Sequence, residues 1–172
     1  MNYILATTKW IQASKILLKM NNLNKKKLLN YLTTQPTMSL ATSNGSSLWS
    51  ATVYFIADED LNFYFMSGPK TIHAKNIASK ANVSLTVAQS DQWPQMDKYG
   101  IQASGKASSY KNIKGLIGML KIWNAKFVKK PAPPLGQIKL GWPFYKITIN
   151  RLKIFDNRAK ISGKLYKINE ET

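Results

Sequence analysis

Between residues 37 and 66 the chain reads as three β-prone runs separated by two turns, and this meander limits the fold more than any other stretch. Residues 37–42 (TMSLAT) form the first run, Asn44-Gly45 is the strongest short hairpin signal, and 48–55 (LWSATVYF) return beside it. Asp58-Glu59-Asp60 makes the next turn, read as three solvated acids, and 61–66 (LNFYFM) make the third strand. The result is an antiparallel sheet whose last, aromatic strand leads directly into a change of structure.

That change occurs within FYFMSGPKTIHAKN, residues 63–76, where Ser67-Gly68-Pro69 breaks the strand and residues 71–79 return to helical composition. The first backbone N–H groups of such a helix lack intrahelical partners and sit at the positive end of its dipole, so the junction is a candidate anion site. Lys70 and the hydroxyls of Ser67 and Thr71 form the expected cradle, with His73 and Lys75 as neighbours. A strand, turn and helix with one lysine also occurs where nothing binds, and His73 reads equally well as an ordinary residue on a helix surface.

The rest of the chain fits around this centre. Residues 1–20 combine Trp10, Ile11, Ile16, Leu17, Leu18 and Met20 with Lys9, Lys15 and Lys19, an amphipathic helix expected to pack on the domain or on a second subunit; a membrane-surface helix is the alternative. No apolar run approaches a membrane span, and no signal peptide is expected. Residues 1–22 are therefore an extension, and 23–172 a single domain. Residues 24–34 read as a helix, 82–89 as a half-buried strand, 90–98 as a polar loop carrying Trp93-Pro94, and 100–110 as a strand whose glycines imply bending or a close backbone approach. Residues 111–130 form a helix with Ile113, Leu116, Ile117, Leu120 and Phe127 on its apolar side. The run Pro131-Ala132-Pro133-Pro134 ends it, and 135–143 connect onward. Residues 144–149, 152–155 and 164–168 complete the strands. Roughly six to eight short, mostly hairpin-linked strands with a few helices predict an α+β antiparallel barrel with the helices set outside it.

Composition narrows the chemistry. The 172 residues contain no Cys, which removes disulfides, thiolate metal sites and thiol redox chemistry, and suits a cytoplasmic protein. Electrons, if moved, require an organic cofactor. His73 is the single histidine, so metal triads and Ser/His/Asp hydrolase sites lack their parts. The net charge of +17 gathers anions, yet the basic residues are lysines except for Arg151 and Arg158, a poor set for reading nucleic-acid bases. From Lys98 to Lys153 every charged residue is positive, which keeps a polyanion or anionic surface open as a partner.

The succession from Leu23, through the strand ending in Ala41-Thr42, the strand leading to Tyr54-Phe55, the acidic turn, the aromatic strand, the Ser/Gly loop with Lys70 and the helix with His73-Ala74 and Asn76, resembles the pyridoxamine 5'-phosphate oxidase-like, FMN-binding split β-barrel superfamily. GIQASGKASSY resembles its later strand, and FYKITINRLKIFDN its C-terminal hairpin; the resemblance runs to about Asn157. It implies a homodimer with flavin at the interface. Ser50, Thr52, Val53, Tyr54 and Phe55 would line the flavin ring, partly through backbone groups. Ser67, Lys70, Thr71, His73 and Asn76 would hold the ribityl phosphate, while Trp93 and Gln102 approach from the other subunit. Tyr54 reads equally as a core residue, and Trp93 as the cover of a ligand or subunit boundary. The family's oxidases proper carry several arginines and a C-terminal Arg/His cluster, whereas residues 157–164 here hold Arg158 and no His, so pyridoxamine phosphate oxidation is not expected. The expectation is an FMN-binding oxidoreductase using a nicotinamide or other small donor, with no catalytic side chain of its own. A cofactor-free or haem-binding barrel, the latter with His73 as its sole imidazole, and a basic module for nucleic acid or anionic surfaces are the alternatives.

Overall fold

The computed structural model describes residues 22–89, 98–129, 143–156 and 164–167; the expected helix over residues 1–20, the Trp93 loop, the proline-rich connector and Arg158 lie outside them. Helix α1 (Asn22–Thr34) leads into strands β1 (Thr37–Ser43), β2 (Leu48–Tyr54), β3 (Ile56–Ala57) and β4 (Asn62–Met66). Next come helix α2 (Ile72–Ser79), strands β5 (Asn82–Ala88) and β6 (Tyr99–Ser109), helix α3 (Ile113–Lys126), and strands β7 (Phe144–Asp156) and β8 (Lys164–Lys167). All strand pairs are antiparallel, in the spatial order β2-β1-β5-β6-β7-β4-β3, with β8 added to β7.

That order forces the sheet to curl. β2 and β3 stand at its opposite ends, yet only Phe55 separates them in the chain, so the two edges must come together. The expected single strand over 48–55 is thus corrected: at Phe55 the chain leaves β1 and joins β4 from the far edge. Three contacts fix the switch. The Phe55 N–H donates to the Pro36 carbonyl at 3.3 Å, its carbonyl accepts from Lys126 Nζ at 2.9 Å, and its fully buried ring packs 5.6 Å from Phe63. A curled sheet with unpaired edges and helices around it is an α+β split barrel.

Alternation decides what lies inside. Met38, Leu40, Val53, Phe63, Phe65, Val83, Leu85, Val87, Ile101, Ile147 and Ile149 share one interior cluster, to which α1 adds Leu28 and Leu32 and α2 adds Ala74 and Ile77. β4 is buried on both faces, because Tyr64 points the other way, into a second cluster with Ile56, Phe144, Leu116 and Trp123 beneath α3. Here the expected apolar side of the helix shifts: Ile117 is exposed, and Trp123 takes the buried place.

Two further expectations change. Residues 144–156 form one strand rather than a hairpin. Ser104 pairs with Arg151 and Gly105 with Ile149, leaving Asn150 as a bulge that absorbs the bend, its Oδ1 accepting from Ser104 Oγ at 3.1 Å. Gly105 is required there, since a Cβ would overlap the Thr148 carbonyl. Asp58, expected to be solvated, instead clamps its turn: its carboxylate accepts from the N–H groups of Asp60 and Asn62, from Asn62 Nδ2, and from the Tyr64 hydroxyl at 2.9 Å. The clamp holds Leu61 at φ 59°, a left-handed conformation unusual for leucine.

Candidate functional site

The strand-to-helix junction forms as the sequence implies. β4 ends at Met66, the Ser67 N–H donates to the Pro143 carbonyl at 3.3 Å, and Thr71 caps α2 by accepting from the Ala74 N–H at 3.4 Å. The amides of Ile72 and His73 belong to the first turn and have no residue four earlier within the helix to bond. Ser67 is 4% exposed, and its Oγ lies 2.6 Å from His73 Nε2 and 3.1 Å from Thr71 Oγ1. Thr71 Oγ1 also donates to the Gly68 carbonyl at 2.9 Å. Two hydroxyls and an imidazole thus meet at the helix start, with Lys70 exposed at the turn. Burial lowers the His73 pKa below its ordinary 6.5, so near neutral pH it acts as a hydrogen-bonding group rather than a cation. Any positive charge offered to an anion comes from Lys70 and the helix dipole.

The other anticipated residues separate into distinct places. Asn76 is buried, and its Nδ2 donates to Thr42 Oγ1 at 3.1 Å, so it spends that donor tying α2 to β1. Along β2, the side chains of Ser50, Thr52 and Tyr54 face outward while Val53 and Phe55 point into the core, leaving the last two only backbone groups to offer a ligand. Thr52 pairs with Ser39, Ser39 with Thr86, and Thr86 with Gln102, so one polar row crosses the outer face of β2, β1, β5 and β6. Three strand spacings, about 14 Å, separate Gln102 from Thr52. Gln102 and Thr52 thus stand at opposite ends of that row.

A feature that sequence reasoning missed lies at the far end of β2. Tyr54, Met66, Trp123, Lys126, Phe127, Val128 and Lys129 line a cleft of about 560 Å³. Lys126 Nζ donates to the Leu32 and Phe55 carbonyls, both at 2.9 Å, and sits 3.9 Å from the centre of the Phe55 ring. Burial pulls its pKa down from 10.5 to about 8. The signal was present: Lys126 comes after Met119 and Trp123 at the spacing of the buried helix stripe, where a lysine is out of place.

No family model matches the sequence, and no curated protein matches it at a significant level. The fold is nevertheless found among solved structures. General Stress Protein 26 of Bacillus anthracis superimposes with a TM-score of 0.60 at 18% identity, covering 84% of this chain and 98% of that one. A Listeria innocua protein, provisionally named a pyridoxamine 5'-phosphate oxidase, gives 0.58 at 16% identity over 76% and 96% of the two chains. A haem-binding protein of Mycobacterium smegmatis gives 0.62 at 10% identity, covering 83% of this chain, which spans only 56% of the mycobacterial one. The chain thus shares its split-barrel architecture with these three proteins. Among the described residues, no helix is long and apolar enough to cross a membrane.

Proposed function

We propose that the protein binds FMN and acts as a cytoplasmic flavin-dependent oxidoreductase on a small molecule, as a homodimer. The observation that carries this reading is the cluster of Ser67, Thr71 and His73 at the start of α2, with Lys70 beside it. Its donors suit a phosphate: the first-turn amides supply hydrogen bonds, and the lysine supplies charge. The flavin, when bound, supplies hydride and electron transfer. The chain's part is binding and orientation. Thr71 gives its hydroxyl hydrogen to the Gly68 carbonyl and Ser67 gives its own to Thr71, neutral His73 holds Ser67 in place, and the turn so fixed presents the first-turn amides, while the outward face of Ser50, Thr52 and Tyr54 offers a flat surface for the ring.

The absorbance spectrum of purified protein tests the reading. Yellow protein releasing about one FMN per subunit, or colourless protein that takes up FMN in a fluorescence titration, is the expected result. Protein that ignores FMN removes it. Haem binding draws support from the mycobacterial fold neighbour, but the one imidazole is already held 2.6 Å from Ser67. A Soret band on adding haem would favour that alternative.

A further inference from the structure

A trough runs along α1 where that helix stands beside β3 and the acidic turn. One end, of about 410 Å³, lies between Leu32 and Thr33 of α1, Ile56 and Ala57 of β3, and Ile122 and Ala125 of α3, with Lys126 also lining it. The other end, of about 360 Å³, lies between Leu29 and Asn30 of α1 and Asp58 and Glu59 of the turn, with Lys25 and Lys26 beside them. Thr33 and Ala57 line both ends, so the trough is continuous. Leu23, Lys26, Asn30 and Thr33 recur every three or four residues on one side of α1, and all four are exposed. Leu23 is 75% exposed and Ile122 38%, so two large apolar side chains stand in solvent along this face.

We propose that residues 9–20 of this same chain dock in the trough as a helix antiparallel to α1, with Trp10 and Ile11 at its apolar end and Lys15 and Lys19 at its acidic end. Length and connection favour this occupant. Twenty-one residues precede Asn22, where α1 begins. Thr33 lies eleven residues after Asn22, about 16 Å along the helix, and Ile11 lies eleven residues before it, so a helix folded back on α1 brings Ile11 level with Thr33. Trp10 and Leu17, like Ile11 and Leu18, are seven residues or two turns apart, which puts all four on one apolar stripe. Charge favours it too. The chain carries +17, so most of its surface repels a segment holding Lys9, Lys15 and Lys19 and no acid. Asp58, Glu59 and Asp60 are the one group of neighbouring acids among the described residues, since Asp156 is buried and paired with Lys27. In the same register Lys15 and Lys19 come level with Leu29 and Lys25, on the stretch that Asp58 and Glu59 line. Lys25 and Lys26 share that stretch and leave it close to neutral against a positive remainder. A second copy could offer the same residues, but the direct link at Asn22 holds this chain's own segment at the higher effective concentration. None of the residues assigned to FMN is involved.

The chain has no cysteine, so introduced pairs report contact without background. In the full chain, Ile11→Cys with Ile122→Cys should be bridged within one molecule by a short bismaleimide about ten-fold faster than Ile11→Cys with Lys106→Cys, whose second site is exposed on the outer face of β6. Ile122 is partly exposed, so Ile122→Glu costs the domain itself little. By spoiling the apolar end of the trough it should speed tryptic cleavage after Lys15 and Lys19 about ten-fold, while cleavage within the strands stays as slow as before. Equal bridging of the two pairs, or cleavage after Lys15 and Lys19 that is indifferent to Ile122→Glu, would overturn the proposal. Bridging only between molecules would also overturn it, by showing that a second copy fills the trough.

Discussion

At the start of α2, Lys70 stands in solvent beside a polar turn; at the end of α3, Lys126 has exchanged most of its water for two carbonyls and an aromatic ring. The exposed amine adds little to stability and is free to meet an anion arriving from solution. The buried amine joins three parts of the chain, because Leu32 lies in the last turn of α1, Phe55 carries the chain from one sheet edge to the other, and Lys126 itself ends α3. Position in the fold thus leaves one lysine in solvent and makes another a structural tie.

The strongest way to break this contrast is to remove the floor under the buried amine. Phe55→Ala should cost about 3–5 kcal/mol in urea unfolding, since it empties a fully buried site at the barrel's closure. Lys126→Met keeps the volume but leaves two carbonyls without their donor, and should cost about 1–3 kcal/mol. The same pair of proteins gives a signed pH test. The folded chain holds Lys126 near 8 while the unfolded chain returns it to 10.5, so the unfolded state carries more protons between those values. Stability from this group therefore rises with pH from about 8 to 10.5 and is lost as pH falls back through 8. Unfolding at about pH 8 and about pH 10 should show wild type gaining relative to Lys126→Met; no relative gain would mean the amine is not desolvated.

On the exposed side, Lys70→Gln should weaken FMN by about ten-fold and change stability by less than about 0.5 kcal/mol, as read by flavin fluorescence and urea titration. The smallest effect sharpens the role of His73. Burial keeps it neutral, and a bound phosphate raises its pKa, so binding takes up a proton as pH falls toward about 6. His73→Gln should match wild type at about pH 8 and lack its relative gain at about pH 6.

Much of this was legible in the order of residues. The hairpin at Asn44-Gly45, the break at Ser67-Gly68-Pro69 and the helix after Thr71 all depend on neighbours close in sequence, and each forms. The resemblance to a split barrel was legible for the same reason, as a succession of local elements. Harder to see were features set by partners far along the chain. Asn76 belongs to Thr42, Asn150 is a bulge because β6 and β7 slip past one another at Gly105, and Asp58 is clamped because its turn folds back onto Asn62 and Tyr64.

The sequence by itself determined most of the strands and helices and where a helix starts after the break at Ser67-Gly68-Pro69, because periodicity, turn residues and capping act over a few residues. Only the tertiary structure decided that Phe55 closes the barrel, that Gln102 ends a polar row begun by Thr52 three strands away, and that Lys126 loses water among aromatic rings. Those outcomes depend on how distant strands and helices exclude solvent from one another, a property of the packed whole.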